Sequence, residues 1–264
     1  MIIYKSESEI QAIRKANQIV AKILSELAEM VRPDITTLEL DRYAEKRTRE
    51  LDAIPAFKGY RGYPASLCTS LNEEIVHGIP SNRRLKEGDI LSIDFGAIFD
   101  GFYGDAAVTF PVGKITAAAE KLITAAEESF FKGIEQAVPG KRIGDISAAV
   151  QAHVESRGFS VIRNFVGHGI GFSLHEEPQV PNFGLAGHGP KIKPGMVLAI
   201  EPMIAAGDWD VEILADNWTA VTRDRSLSAH HEHTIAVTQD GPQILSSLND
   251  TKGGRSGLKE PLHA

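Results

Sequence analysis

The chain has 264 residues, 42% hydrophobic and 24% charged, with a net charge of −7. That length suits one or two domains, the composition excludes wholesale disorder, and the acidic balance argues against a general nucleic-acid binder. Cys68 is the single cysteine, which excludes an intramolecular disulfide framework and any CxxC site. The opening residues MIIYKSESEI contain no basic segment leading into an apolar one, and no run approaches the roughly 18 apolar residues of a membrane span. The expectation is a soluble cytoplasmic protein.

In chain order, Ser6 with Glu9 makes a capping-box pattern. Ile10, Ile13, Val20, Ile23, Leu24, Leu27 and Val31 form one stripe, so a helix is expected over 6–31, stopped by Pro33. Thr36 with Glu39 opens a second over 36–51, and 64–112 reads as strands and turns. A third helix is expected over 116–137, closed by Val138-Pro139-Gly140, and a fourth over 146–156, ended by Gly158. Residues 159–240 are again strands and glycine-rich loops. The order repeats itself: VRPDITTLEL starts at Val31 and VPGKRIGDIS at Val138, 107 residues later. Two related halves of the α+β class are therefore expected. The polar stretch 250–264 reads as weakly ordered.

The most informative segment is LSIDFGAIFDGFYGDAAVTF, from Leu91 to Phe110. Asp100-Gly101 between alternating apolar residues signals a two-residue hairpin. With that loop, Phe99 faces Phe102, Asp94 faces Ala107 and Asp105 faces Gly96. Asp94 and Asp105 become diagonal neighbours on one face, beside the small residues Ser92, Gly96 and Ala107. The other face carries Ile93, Phe95, Ala97 and Phe99. Two readings fit: polar positions on a half-exposed sheet, or donors around a common ion.

Three further segments place chemistry in strand-like settings. VLAIEPMI carries Glu201, AHHEHTIAVT carries Glu232, and FVGHGIGFSLHEEPQV carries His168 and His175. A charge in an apolar strand is costly unless paired or metal-bound. Glu201 alone could be half of a buried ion pair, and His168 alone a hydrogen-bonded core histidine. If Asp94, Asp105, Glu201 and Glu232 converge, they cannot all stay ionised without cations, and two divalent ions would balance them. Oxygen donors with one imidazole suit Mn, Fe, Co or Zn. Spacing alone does not establish that convergence. His231 and His233 flank Glu232, but they, His188, His230 and His263 carry no separate signal, and His153 reads as a surface or boundary residue. No HExxH, GxSxG or Walker motif is present.

NEEIVHGIP, IDFGAIFDGFYGD, GHGIGFSLHEEPQV, AIEPM and RDRSLSAHHEHT together resemble the type I methionine aminopeptidases, over about residues 4–241. The resemblance implies the pita-bread fold: two pseudo-symmetric halves with an antiparallel sheet core and outer helices, a single catalytic domain over 1–241 and a polar tail over 242–264. It implies two divalent ions (Co, Mn, Fe or Zn), with Asp94 on one, His168 and Glu201 on the other, and Asp105 and Glu232 bridging. Glu201 would shuttle the proton, His175 would stabilise the oxyanion, and His77 would contact the substrate backbone. Tyr60, Tyr63, Cys68 and Trp218 match the methionine pocket, joined at the substrate by His77 and His175.

The implied reaction removes the initiator methionine from nascent polypeptides with a small second residue. The implied setting is a cytoplasmic monomer near the ribosome, with no membrane or nucleic-acid partner. Phe57, Arg61, Tyr103 and Leu174 depart from better-known members around the pocket. The expected match is to a compact bacterial-type enzyme, without the zinc-binding extension of eukaryotic type I enzymes or the insertion of type II. Two rivals stand: an Xaa-Pro aminopeptidase or prolidase, which shares the five donors, and a non-catalytic module on the same fold.

Overall fold

The computed structural model describes residues 1–248. The expected weak order of 250–264 and His263 lie outside the described residues. Helices α1 (Glu7–Met30) and α2 (Thr37–Glu50) lead into β1 (Ile54–Pro55), β2 (Leu67–Leu71), β3 (Glu74–Val76), β4 (Ile90–Phe99) and β5 (Phe102–Pro111). After α3 (Ala117–Ile134) and α4 (Ile143–Ser156) come β6 (Ser160–Val161), β7 (Gly167–Gly169), β8 (Glu176–Val180), β9 (Val197–Ile200) and β10 (Met203–Ala205). The chain continues through β11 (Val211–Ile213), β12 (Ala220–Thr222), β13 (Ser228–His230), β14 (Glu232–Thr238) and β15 (Gly241–Ile244).

Both capping boxes form as expected. Glu9 accepts from the Ser6 amide at 2.7 Å and Glu39 from that of Thr36 at 2.8 Å, satisfying amides that a helix start leaves free. The expected stripe of α1 faces inward: Ile13, Ile23 and Leu27 are fully enclosed, each contributing about 1.5–3 kcal/mol over an exposed position. They pack with Leu40 and Ala44 of α2 against Leu67, Leu91, Ile93 and Phe95 of the first-half strands, or lie beside that cluster. In the second half, Leu122, Phe130, Ile146 and Val150 of α3 and α4 cover Leu198, Ile200 and Ile235.

The main sheet runs β1-β4-β5-β14-β9-β7-β8, with β2 also on β4 and β15 also on β14. Its seam is β14. Glu232 and His233 pair with Ala107 and Ala106 of β5, while His233 to Ala236 pair with Ile200 to Val197 of β9. The two halves keep the offset seen in the sequence: β4 starts at Ile90 and β9 at Val197, and α2 and α4 each have 14 residues.

Three boundaries differ from expectation. The fourth helix starts at Ile143, a turn early, because Asp145 accepts the amides of Arg142 at 2.8 Å and Gly187 at 2.7 Å. The third ends at Ile134. The sheet also runs past the expected boundary at 241/242: Pro242, Gln243 and Ile244 pair with β14, and Leu245 is enclosed. Among the described residues no helix is long and apolar enough to cross a membrane.

Candidate metal centre and substrate pocket

The β4–β5 hairpin has the expected register, with Asp94 opposite Ala107 and Gly96 opposite Asp105. The same row extends across the seam, since Ala107 also faces Glu232. Ala107 is thus a small spacer between two acids, and Asp105 lies diagonally beside them. The Asp105 backbone is held from both sides. Its amide donates to Asn17 Oδ1 of α1 at 3.3 Å, and its carbonyl accepts from Thr234 Oγ1 at 2.8 Å. Gly104 permits that approach, because a Cβ there would lie 2.7 Å from the Asn17 amide nitrogen.

The remaining donors come from the second half. Glu201 follows β9, and its carbonyl accepts from Asn182 Nδ2 at 2.9 Å. His168 lies on β7 opposite Ala199. Strands β8 and β9 press so closely on β7 that a Cβ at Gly167 or Gly169 would come within 2.4 Å of a carbonyl oxygen. That accounts for the glycines flanking the histidine. His168 Nδ1 lies 2.9 Å from the Gly169 carbonyl, which fixes the proton on Nδ1 and leaves Nε2 as a free lone pair. Nε2 lies 3.4 Å from Glu201 Oε1 and 4.0 Å from Asp105 Oδ2. Donor atoms of Asp105, His168 and Glu232 fall within 4.8 Å of one another, and so do those of Glu201, His230 and Glu232.

The electrostatics of this cluster are unbalanced. Burial, reinforced by mutual repulsion, raises the carboxyls of Asp105, Glu201 and Glu232 well above the usual range, and burial raises that of Asp94 to about 7. Burial lowers the His168 imidazole to about 4, so the ring is neutral. Among the described residues, only His168 and His230 approach the four acids within ion-pair range. Oxygens of Asp94, Asp105, Glu201 and Glu232 are buried with no hydrogen-bond donor. Unpaired oxygens converging with an imidazole fit divalent cations and leave the solvated-position reading without support.

Beside the acids lies an aromatic wall. His175 lies 4.3 Å from the His168 ring, stacks on Tyr60 at 5.3 Å, and holds the Tyr60 hydroxyl at 2.8 Å from Nδ1. Trp218 sits edge-on to Tyr63 at 5.1 Å and to His77 at 6.2 Å. Cys68 is buried opposite Asp94 in the same cluster. Burial pushes its thiol well up, which leaves it unsuited to act as a nucleophile. The single proton of the Tyr63 hydroxyl is shared between the carbonyls of Leu67 and Gly78, 3.0 and 2.9 Å away, so the hydroxyl is held by the backbone and the ring is the part left to meet a ligand. His77 takes a left-handed φ of 62°, a strained conformation for a non-glycine residue.

Every candidate site residue therefore lies at the acids or along this wall. The sequence reading missed two neighbours. Phe165 stands edge-on to His77 at 5.3 Å, with no motif to mark it. His230, expected to have no special claim, joins the donor cluster, and the signal was its alternation with Glu232 at one residue's remove. His231 and His233 instead pack on Phe130, and His153 bonds to Glu128 at 3.0 Å.

The profile of metallopeptidase family M24 matches residues 11–239. A methionine aminopeptidase of Clostridium acetobutylicum is 53% identical over 247 residues, spanning 93% of this chain and 99% of that protein. The crystal structure of a Thermotoga maritima methionine aminopeptidase superposes with a TM-score of 0.92 at 46% identity, over 94% of this chain and all of that one. A prolidase from Pyrococcus horikoshii shares the fold, with a TM-score of 0.77 at 24% identity, over 94% of this chain but 65% of that longer one. With an M24 profile along most of its length and a relative of such high identity, the chain belongs to metallopeptidase family M24 and, within it, to the methionine aminopeptidases.

Proposed function

We propose that this chain hydrolyses the first peptide bond of nascent polypeptides with a small second residue, releasing the initiator methionine. The observation that carries the reading is the cluster of four buried carboxyls with unfilled oxygens and a neutral imidazole, beside a wall of aromatic and sulfur groups. Asp94, Asp105, His168, Glu201 and Glu232 would hold two divalent cations, with Asp105 and Glu232 shared. Bound there, Mn, Fe, Co or Zn supplies Lewis acidity toward the scissile carbonyl and lets water ionise near neutral pH.

The protein's own groups do the rest. Glu201 accepts a proton from the attacking water and passes one to the leaving amine. The Tyr60 hydroxyl lies 2.8 Å from His175 Nδ1; in the tautomer in which it donates there, His175 Nε2–H would be left to donate to the oxyanion that develops. Burial holds His175 down to about 3, so it acts as a neutral donor. His77, braced by Phe165 and Trp218, contacts the substrate backbone. Tyr60, Tyr63, Cys68 and Trp218 suit a polarizable thioether. Phe57, Tyr103 and Leu174 pack in the same cluster, and Arg61 lies over the Tyr60 ring at 5.4 Å, so these departures shape the pocket rather than the donor set.

All five donors come from one chain, so a monomer suffices. Nascent chains as substrate imply action in the cytoplasm, near the ribosome. The test is hydrolysis of a Met-Xaa peptide series and an Xaa-Pro peptide after metal removal and re-addition of one metal at a time. Metal-dependent cleavage of Met-Ala-Ser, falling as the second residue grows, is expected. Preference for the Xaa-Pro substrate would overturn the reading. A protein that takes up none of the metals and cleaves nothing would be the non-catalytic module.

A further inference from the structure

We infer that His230 is a sixth protein donor of the metal centre, an inference that rests on reading the four acids as a metal site. His230 ends β13, opposite Met203 of β10. Thr109 grips its backbone at both ends: the His230 amide donates to Thr109 Oγ1 at 2.9 Å, and that hydroxyl donates to the His230 carbonyl at 2.8 Å. Thr109 shares a strand face with Asp105 and Ala107, so the clamp ties His230 to the strand that bears one acid. The side chain is 2% exposed, and Nε2 makes no hydrogen bond. A buried ring nitrogen without a partner costs free energy, so its retention calls for a missing partner.

The distances say what that partner is. His230 Nε2 lies 3.7 Å from Glu232 Oε2, beyond hydrogen-bond range. Two donors at about 2.1 Å on one tetrahedral ion lie about 3.4 Å apart. His168 Nε2, a donor in the proposed centre, stands at the comparable distances of 3.4 Å from Glu201 and 4.0 Å from Asp105. Glu232 belongs to both three-donor groups, one containing His168 and the other His230. The centre thus has an imidazole in each group, and a neutral nitrogen adds a donor without adding to the four negative charges.

The test uses the full chain loaded with Co(II) and read by proton NMR. A coordinated imidazole with a protonated distal nitrogen gives a paramagnetically shifted N–H signal that disappears in D2O. Two such signals are expected in the unmutated protein, one from each histidine, and one in His230→Gln. Calorimetric titration of Co(II) into His230→Gln should show one equivalent weakened by at least about tenfold. Tight binding of Co(II) with one imidazole signal in the unmutated protein would overturn the inference and leave the acid centre standing, without relying on a variant's folding. Two signals that persist in His230→Gln would also overturn it. No stoichiometric Co(II) binding would sink the inference together with the reading of the acids.

Discussion

Two regions bury charge in opposite ways. Near the N-terminus, Lys5 forms an ion pair with Glu176, and their side chains are 1% and 5% exposed. Lys5 also donates to the Ile3 carbonyl, and the other Glu176 oxygen accepts the amides of Phe172 and Ser173 at 2.7 and 3.1 Å. Each charge has its partner inside the chain, and the pair braces the loop leading to His175. Asp105 and Glu232 are buried and Asp94 and Glu201 largely so, yet among the described residues none of the four pairs with a lysine or arginine, and each keeps a buried oxygen without a donor. Where the fold needs a buried charge for structure, it supplies the counter-charge; where it does not, the counter-charge comes from outside.

Mutations should split along that line. Glu201→Ala should lower kcat on Met-Ala-Ser by about 10³-fold or more, since it removes a donor and the proton carrier together. Near-normal kcat in metal-supplemented buffer would erase the contrast. Lys5→Met leaves Glu176 buried and unpaired, so unfolding in urea should show a loss of about 3–5 kcal/mol with metal stoichiometry unchanged. The double change Lys5→Met with Glu176→Gln should recover much of that loss. Asp105→Asn should do the reverse, lowering the metal bound per chain in elemental analysis while folding is retained; unchanged stoichiometry and activity would count against a bridging role.

The pH dependence sharpens the same division. Burial raises the four carboxyls, Asp94 to about 7, so the metal-free centre holds protons near neutrality. Metal loading must expel them, and more at about pH 6.5 than at about pH 8.5. Calorimetric titrations in buffers of different protonation heat should show that release, and heats independent of buffer would contradict it. The smallest effect belongs to the pocket. Trp218→Ala should raise KM for methionyl peptides by about tenfold with kcat nearly unchanged, because it removes packing common to ground and transition states.

What the sequence made legible follows from how local each signal is. Asp100-Gly101 sets the hairpin register, and with it the diagonal placement of Asp94 and Asp105, because a two-residue turn leaves no other pairing. The capping boxes of α1 and α2 lie within four consecutive residues each. By contrast, the start of α4 depends on Asp145 reaching the Gly187 amide, 42 residues on. His230 depends on Thr109, 121 residues earlier. Convergence of the acids was visible through the family resemblance and not through spacing, since Glu232 meets Ala107 only across the β5–β14 seam.

That seam has a consequence for biosynthesis. Its closing strand, residues 232–238, leaves the ribosome after β5 and β9, the two strands it joins. An interrupted translation product that stops short of it retains the hairpin acids but lacks Glu232 and the pairing that brings the second half alongside. Such fragments hold an unfinished set of acids, so the four-carboxyl cluster is complete only once that strand has joined the two halves.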